Sequence, residues 1–193
     1  MSIIYHVEHG DTLLDKQKKV QGLLPQGLTD SGRRQVRRAA EKLKGMGIKC
    51  VYCSPLARSK QSAQIVADCL GAALEVRQGL LPLDIGSLAG KKTSDATPYL
   101  NFFGSRPTLP FPGGEKTVDW YARAQKYYKQ QFAEKMPVVA VVGHSRDHQL
   151  MQHWKKNGID AGPEGIDFCC EPGGGQITRI ERSGNSISMR KVA

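Results

Sequence analysis

Two histidines in the sequence stand where an apolar run ends. His9 closely follows the apolar residues 3–5, and His144 closely follows the β-branched run 138–142. Such runs are typical of buried strands, and parallel strands end at a common edge of the sheet, where α/β folds bind ligands. An imidazole can attack phosphorus or move a proton near neutral pH. We therefore expect His9 and His144 to lie together at one sheet edge.

Arg58 is expected at the same edge. A predicted strand over residues 48–53 stops at Ser54-Pro55, and a predicted helix over residues 56–70 begins there, which puts Arg58 in the first helical turn. Arginine donates two parallel N–H bonds to phosphate oxygens, and the N–H groups of a helix N-terminus favour the same anion. Alone, Arg58 would be an ordinary surface arginine; with the two histidines it predicts a phosphate site.

A metal site is the alternative chemistry for the same histidines. His144 and His148 stand four residues apart, the spacing of two ligands on one helix face. However, His144 is predicted at a strand end and no glutamate follows it, so we disfavour a metal and expect no cofactor. The carboxylates that would complete such a site are Glu8, Asp11 and Asp15.

The cysteines predict core packing. The chain has five of them, an odd number, and begins without a basic segment leading into an apolar one, so we expect a reduced, cytoplasmic protein. Cys50 and Cys53 lie three apart in a predicted strand, which directs them to opposite faces rather than to one zinc ion. Cys169 and Cys170 are also interpreted as structural.

The first half of the chain alternates strands and helices, which is typical of a parallel α/β sheet. Residues 13–27 lack periodicity and are predicted to be a loop. The next helix is capped by Thr29 or Asp30 and has one apolar stripe. A short third strand is predicted over residues 73–77. The members of the apolar stripe are Val36, Ala39, Ala40, Leu43 and Met46.

The second half contains an interruption. Residues 78–114 are rich in proline and glycine and are predicted to be a mostly irregular cap inserted into a single domain that spans residues 1–193. After it we expect, in order, a helix, the strand 138–142, a second helix and three edge strands. The ranges of the two helices and the edge strands are 115–135, 146–157, 166–171, 176–182 and 187–192.

The charge favours an anionic partner. The formal net charge is +10, from 28 Lys and Arg against 18 Asp and Glu. A row of basic residues on the second predicted helix is expected to be a solvated face, since no aromatic interleaving or DNA-binding motif supports a nucleic-acid site. No apolar run is long enough to span a membrane. The basic row comprises Arg33, Arg34, Arg37, Arg38, Lys42 and Lys44.

Several short segments together match the motifs of one family. The chain resembles the histidine phosphatase superfamily, the phosphoglycerate mutase-like proteins, over nearly its whole length. The late strand-end histidine of that family is matched by Gly143-His144-Ser145. The other matching segments are His9-Gly10-Asp11-Thr12, Gln21-Gly22, Leu28-Thr29-x-x-Gly32-x-x-Gln35, Ser54-Pro55-Leu56-Ala57-Arg58-Ser59-Lys60-Gln61-Ser62-Ala63, Gly86-x-x-x-Gly90 and Pro112-Gly113-Gly114-Glu115.

The resemblance implies a fold and a mechanism. The fold would be a three-layer α/β/α sandwich with a mostly parallel central sheet. His9 would be the nucleophile that forms a phosphohistidine, while Arg58 and His144 would hold the transferred phosphoryl group. Gln21 and Gly22 would contribute to phosphate binding. The expected partner is a small phosphorylated substrate or inorganic phosphate, and the oligomeric state stays open.

Four positions depart from the family pattern. Glu8 replaces an arginine, Asp15 replaces a phosphate-contacting asparagine, and Lys19 replaces an arginine. Pro82 occupies the position of the general-acid glutamate, and Asp84 is the nearest carboxyl. At ~4 Å, two unit charges interact by roughly 4 kcal/mol at an effective dielectric of about 20, so reversing the sign at Glu8 costs more than losing one contact.

Two functions therefore stay open. One is a phosphate monoester hydrolase of weak or altered activity that acts through His9. The other is a catalytically inactive relative that binds an anion or a partner, which the substitutions Glu8, Asp15 and Pro82 favour. Mutase activity is the least favoured phosphoryl chemistry, because it most needs the missing acid and the cationic pocket.

Overall fold

The computed structural model describes residues 3–133, 138–168 and 173–193. Its six strands form one sheet in the order β3-β2-β4-β1-β5-β6. The strands are β1 (Ile3–Glu8), β2 (Cys50–Cys53), β3 (Ala73–Val76), β4 (Val138–Gly143), β5 (Ile177–Ser183) and β6 (Ser186–Lys191). The α-helices are α1 (Leu13–Lys16), α2 (Asp30–Lys42), α3 (Ala57–Leu70), α4 (Thr93–Gly104), α5 (Thr117–Ala133) and α6 (Ser145–Asn157).

The central strands are parallel, as predicted. β1 pairs in parallel with β4, β4 with β2, and β2 with β3, whereas β5 and β6 are added antiparallel at one side. The register places Glu8 opposite Gly143. The residues that follow these two, His9 and His144, therefore leave the sheet at the same edge.

Helices cover both faces of the sheet. One face packs against α5 and α6 through large side chains such as Trp120 and Trp154. The other packs against α2 and α3 through smaller ones such as Val36 and Ala63. The predicted three-layer sandwich is confirmed, since alternate residues of each central strand enter the two cores. Cys50 and Cys53 follow this alternation, with one thiol in each core, and both are free.

Two predictions about the first helical region need correction. The segment predicted as a loop contains α1, whose first turn is capped by the Thr12 hydroxyl. The apolar stripe of α2 is right as far as Leu43, but the helix ends at Lys42, so Met46 lies beyond it and is exposed. Of the two N-cap candidates for α2, Thr29 is the cap, and its hydroxyl accepts from the Gly32 N–H, while Asp30 is the first helical residue.

The segment 78–114 is more regular than predicted. It contains two short 3₁₀ helices, Gln78–Leu80 and Gly86–Leu88, and the twelve-residue helix α4. Pro98, which argued against a helix, lies inside α4. Burial explains the difference, because Ala96 and Leu100 belong to the main core and Gly104 packs closely against Phe168.

The segment before β5 also differs from prediction. Residues 166–168 are not a strand, although Ile166 and Phe168 are buried in the core. The remainder of that predicted strand, 169–171 with Cys169 and Cys170, lies outside the described residues, as do residues 134–135 of the helix predicted over 115–135. Among the described helices, none has the length and apolar character needed to cross a membrane.

Candidate active site

His9 is held in one tautomer by the turn that follows β1. Its Nδ1 lies 2.9 Å from the carbonyl oxygen of Gly10, which can only accept, so Nδ1 carries the proton. Gly10 is required there, since a Cβ would lie 2.3 Å from the Gly32 carbonyl oxygen at the start of α2. The lone pair of the imidazole is consequently on Nε2. Arg58 Nε, 3.2 Å away, donates to it.

The environment keeps His9 neutral. Its side chain is buried, and burial together with the neighbouring Arg58 guanidinium lowers the pKa of His9 from 6.5 to about 4. A neutral imidazole is the nucleophilic form, and the bond from Arg58 Nε to Nε2 has to open before the lone pair can attack.

Arg58 is fixed by the loop that precedes α2. It is only 2% exposed, with Nη2 donating to the Gly22 carbonyl at 2.8 Å and Nη1 donating to the Leu24 carbonyl at 3.0 Å. Gly22 has a φ of +50°, a conformation that favours glycine. Burial lowers the pKa of Arg58 to about 10, so it is still a cation at neutral pH. Gly22 thus belongs to the site as the residue that orients the guanidinium.

His144 completes the strand-end group. Its ring meets the His9 ring edge-on, with centroids 5.3 Å apart, and its Nε2 lies 2.8 Å from the Ser54 hydroxyl. Its Nδ1 is buried and has no hydrogen-bond partner among the described residues. Burial, reinforced by Arg58 and His9, holds the pKa of His144 well below 6.5. The structure brings His9, Arg58 and His144 together, as the sequence predicts.

A cavity of about 100 Å³ opens beside these residues, and a second of about 400 Å³ adjoins it. The first is lined by Arg58 and His144 and the second by His9. Three charged residues line both: Glu8, Asp15 and Lys19. The two cavities therefore form one mixed-charge site, with room for a phosphoryl group and for part of a molecule attached to it.

Glu8 faces the nucleophile. Its side chain is 6% exposed, and Oε1 lies 3.9 Å from His9 Nε2. The position that departs most from the family pattern is therefore inside the site. The Coulomb attraction of Glu8 and Asp15 for Arg58 works against the lowering of the Arg58 pKa by burial.

Asp15 and Gln21 stabilise the loop that lines the cavity. Asp15 Oδ2 accepts from the Thr12 N–H at 2.7 Å, and Asp15 Oδ1 accepts from Gln21 Nε2 at 2.6 Å. Gln21 Oε1 in turn accepts from the Thr12 hydroxyl. Both carboxylate oxygens of Asp15 are occupied, so this residue shapes the cavity wall through the loop. Gln21, predicted to contribute to phosphate binding, lines the cavity, and its side-chain amide makes one bond to Thr12 and one to Asp15.

Asp84 is not brought to the site. Its Oδ1 accepts from the Gly86 N–H, and its own N–H donates to Glu115 Oε1, both at 2.9 Å. Among the described residues that line the cavity are its neighbours Pro82, Leu83 and Ile85, but not Asp84. Asp84, the carboxyl nearest to Pro82 in sequence, therefore stabilises a local turn.

Two residues of the site were not identified as such from the sequence. Ser54 contacts His144 Nε2, and Arg146 lines the cavity from the first turn of α6. The Arg146 guanidinium donates to Gln149 Oε1 at 2.7 Å and stacks on the Phe168 ring at 4.5 Å. The sequence contains a pattern that could have identified Arg146. Like Arg58, it follows a strand end and lies in the first turn of a helix.

A metal centre has no support in the described part of the chain. Among residues 3–133, 138–168 and 173–193, no group of three or more histidine, cysteine, aspartate or glutamate side chains is arranged to hold a metal ion. His148, the partner considered for His144, has its Nδ1 3.5 Å from the Thr178 hydroxyl.

Comparison with known sequences identifies relatives. The family model of the histidine phosphatase superfamily (branch 1) matches residues 4–186. A protein described as probable phosphoglycerate mutase GpmB from Enterobacter sp. (strain 638) is 33% identical over 94 residues, 49% of this chain and 44% of that protein. The protein of the same description from Yersinia pestis (strain Pestoides F) is 33% identical over 95 residues, with the same shares. The match thus spans less than half the length of these relatives.

Solved structures share the fold. A mycobacterial glucosyl-3-phosphoglycerate phosphatase in complex with VO3 superposes with a TM-score of 0.80 at 22% identity, covering 100% of this chain and 98% of that one. YhfR from Bacillus stearothermophilus gives a TM-score of 0.82 at 20% identity, covering 99% and 96%. With the family model matched over nearly its whole length, the chain belongs to the histidine phosphatase superfamily.

Proposed function

We propose that this protein hydrolyses a small phosphate monoester through a phosphohistidine formed on His9. The observation that carries the proposal is the neutral His9 imidazole, whose Nε2 lone pair lies 3.2 Å from the buried Arg58 cation at the strand edge shared with His144. A nucleophile beside a fixed cation is what attack on an anionic phosphorus requires.

The chemistry has two steps. His9 Nε2 forms a bond to phosphorus as the bond to the ester oxygen breaks, and the departing oxygen takes up a proton from solvent water. A water molecule then attacks phosphorus and gives up a proton to solvent as the P–N bond breaks, which returns the lone pair to Nε2 and releases inorganic phosphate. Arg58 and His144 would hold the phosphoryl oxygens throughout, with Gly22 orienting Arg58.

Hydrolysis is favoured over mutase chemistry. The curated relatives are named as phosphoglycerate mutases, and mutase chemistry would need both a cationic pocket and an acid. Here Glu8 brings an anion into the pocket and Pro82 stands where the acid is expected. We also propose that segment 78–114 caps a single domain, since Pro82 and Ile85 supply part of the cavity wall.

A second candidate is an anion-binding protein without turnover. It is favoured by the position of Asp84, whose carboxylate is engaged by the Gly86 N–H rather than directed to the cavity. Loss of general-acid catalysis costs roughly 10²–10⁴-fold in rate.

One experiment separates these candidates. An aryl phosphate with a good leaving group needs little help from an acid, so the wild-type protein should hydrolyse it at a measurable rate. If the wild type is silent and Glu8→Arg is active, the binding protein is the better description. Glu41→Arg makes the same charge change at an exposed site and is the matched control.

A further inference from the structure

Glu8 lies where the oxygens of a reacting phosphoryl group must come. Its Oε1 is 3.9 Å from His9 Nε2, and its carboxyl lines the same cavity as Arg58 and His144. A phosphorus atom poised for attack sits about 3–3.5 Å from the nucleophilic nitrogen. Its non-bridging oxygens would therefore come within hydrogen-bond range of the Glu8 carboxyl.

An ionised Glu8 carboxylate and a phosphate dianion would repel each other at this distance. A carboxylate and a phosphate dianion offer only acceptors to each other, and like charges at this distance are relieved when the pair holds one proton. The same logic governs two carboxylates that share one site. A single proton turns the contact from a repulsion into a charge-assisted hydrogen bond.

Among the described residues, the titratable groups that line the cavities with Glu8 are not placed to supply that proton. The buried histidines His9 and His144 are neutral, and the proton on His9 Nδ1 is donated to Gly10. Burial holds the pKa of the Tyr128 hydroxyl on α5 well above 10, and the negative charge of Glu8 adds to this effect. The charged and titratable groups that line the cavities with Glu8 are His9, Asp15, Lys19, Arg58, His144 and Arg146.

Arg58, Arg146 and Lys19 stay cationic near neutral pH and attract the anion without altering its proton count. Asp15 has both oxygens occupied by the Thr12 N–H and by Gln21. We therefore expect the proton between Glu8 and the phosphoryl group to be bound together with the ligand.

We propose that the site takes phosphate esters and inorganic phosphate with one proton shared between Glu8 and a phosphoryl oxygen. Glu8 would thereby select the protonated monoanion and reject anions that carry no proton, such as sulfate. The proposal rests on the proposed function only in placing the phosphoryl group against His9. Under this proposal Glu8, the residue that departs most from the family pattern, contributes to ligand selection.

Calorimetric titration of the full chain with inorganic phosphate and with sulfate tests the proposal. Between about pH 6 and pH 8.5, a range over which phosphate loses its second proton, the phosphate affinity should fall by about tenfold for each pH unit at the alkaline end. At the alkaline end of this range, where free phosphate is the dianion, titrations in buffers with different heats of ionisation should show uptake of about one proton. Sulfate should bind at least roughly tenfold more weakly than phosphate near pH 6.

A matched pair of variants assigns the effect to Glu8. Glu8→Gln keeps the shape and can donate an amide N–H to a dianion, so its phosphate affinity should become nearly independent of pH and its discrimination against sulfate should disappear. Glu41→Gln, the same substitution at an exposed position, should behave as the wild type. The wild-type proton uptake alone tests the proposal if Glu8→Gln does not fold.

Three results would overturn the proposal: equal binding of sulfate and phosphate, phosphate binding without proton uptake, or a Glu8→Gln variant with the wild-type pH dependence. These outcomes differ from failure of the proposed function. A protein that binds phosphate with a proton but never hydrolyses an ester would retain this proposal and lose the other. No phosphate binding at any pH would overturn both.

Discussion

The site has two parts that are built differently. The strand-end part comprises His9, Arg58 and His144, each at the carboxyl end of a parallel strand or in the helical turn that follows. The loop part comprises Asp15, in the four-residue helix α1, and the residues around Asp84. The carboxylates of Asp15 and Asp84 accept hydrogen bonds from nearby backbone N–H groups. The side chains of the strand-end part line the cavities, whereas the carboxylates of the loop part hold the nearby backbone in place through hydrogen bonds.

This difference separates the proposed capture of a phosphoryl group from the proposed transfer of protons. The strand ends hold the neutral His9 imidazole and the Arg58 guanidinium 3.2 Å apart, and this pair captures the phosphoryl group in the proposed function. The general acid is missing from the loop part, while Glu8, the last residue of β1, adds a carboxylate to the strand-end part. The account therefore predicts large effects for changes in the strand-end part and small ones in the loop part.

Replacing the nucleophile should have the largest effect. His9→Asn removes the attacking nitrogen while keeping a polar side chain of similar length, so aryl phosphate hydrolysis should fall to the background rate. Steady-state kinetics measure the loss, and a thermal melt checks that the variant is folded. A His9→Asn protein that keeps more than a few per cent of wild-type activity would show that His9 is not the nucleophile.

Arg58 should come next. Arg58→Ala removes the fixed cation and leaves the carbonyls of Gly22 and Leu24 without its donors, so kcat/KM should fall by roughly 10²–10³-fold. Arg58→Lys should recover little of this loss, since an ammonium cannot reproduce the planar fork. Full recovery by lysine would show that charge alone, rather than geometry, matters at this position.

The buried histidines predict how stability depends on pH. Burial of His9 and partial burial of His148 lower their pKa values from 6.5 to about 4, and burial holds the pKa of His144 well below 6.5. Between pH 6.5 and about 4 the unfolded chain binds protons that the folded chain excludes, so the free energy of unfolding should decrease as the pH falls through this range.

Urea titrations across this pH range measure that decrease. His148→Gln removes one of the three histidines and should make the decrease shallower. A free energy of unfolding that stays constant between pH 6.5 and 4 would contradict the burial of neutral imidazoles in the strand-end part.

The smallest effect is expected at Asp84. Because its carboxylate accepts from the Gly86 N–H outside the cavity lining, Asp84→Asn should change kcat by less than about threefold, even with a poor alkyl leaving group. An amide oxygen can still accept that bond. A loss of roughly 10²-fold or more, confined to poor leaving groups, would instead identify Asp84 as the acid and would show that the segment rearranges around substrate.

The strand-end part could be predicted from the sequence because topology alone positions it. Apolar runs ending at His9 and His144, and a helix beginning just before Arg58, determine a shared edge once the strands are parallel. The opposite placement of Cys50 and Cys53 follows from the two-residue period of a strand in the same way.

The remaining features depend on tertiary contacts that no local pattern reveals. Pro98 argues against a helix, yet burial of Ala96 and Leu100 outweighs it. From the sequence, Asp84 is a candidate acid because it is the carboxyl nearest to Pro82. In the structure its carboxylate accepts from the Gly86 N–H, in a turn that is held in place by Glu115, 31 residues away, and no local pattern reveals this contact. Ser54 becomes part of the site only through its contact with His144.

Detection of a phosphohistidine at His9 is the most direct test of the proposed mechanism. The wild-type protein is mixed with a radiolabelled aryl phosphate, quenched in alkali within the first turnovers, and digested to locate the label. The account predicts an acid-labile, alkali-stable phosphoryl group on His9, absent from His9→Asn. Turnover with the label on another residue, or with no labelled protein at any time, would contradict it.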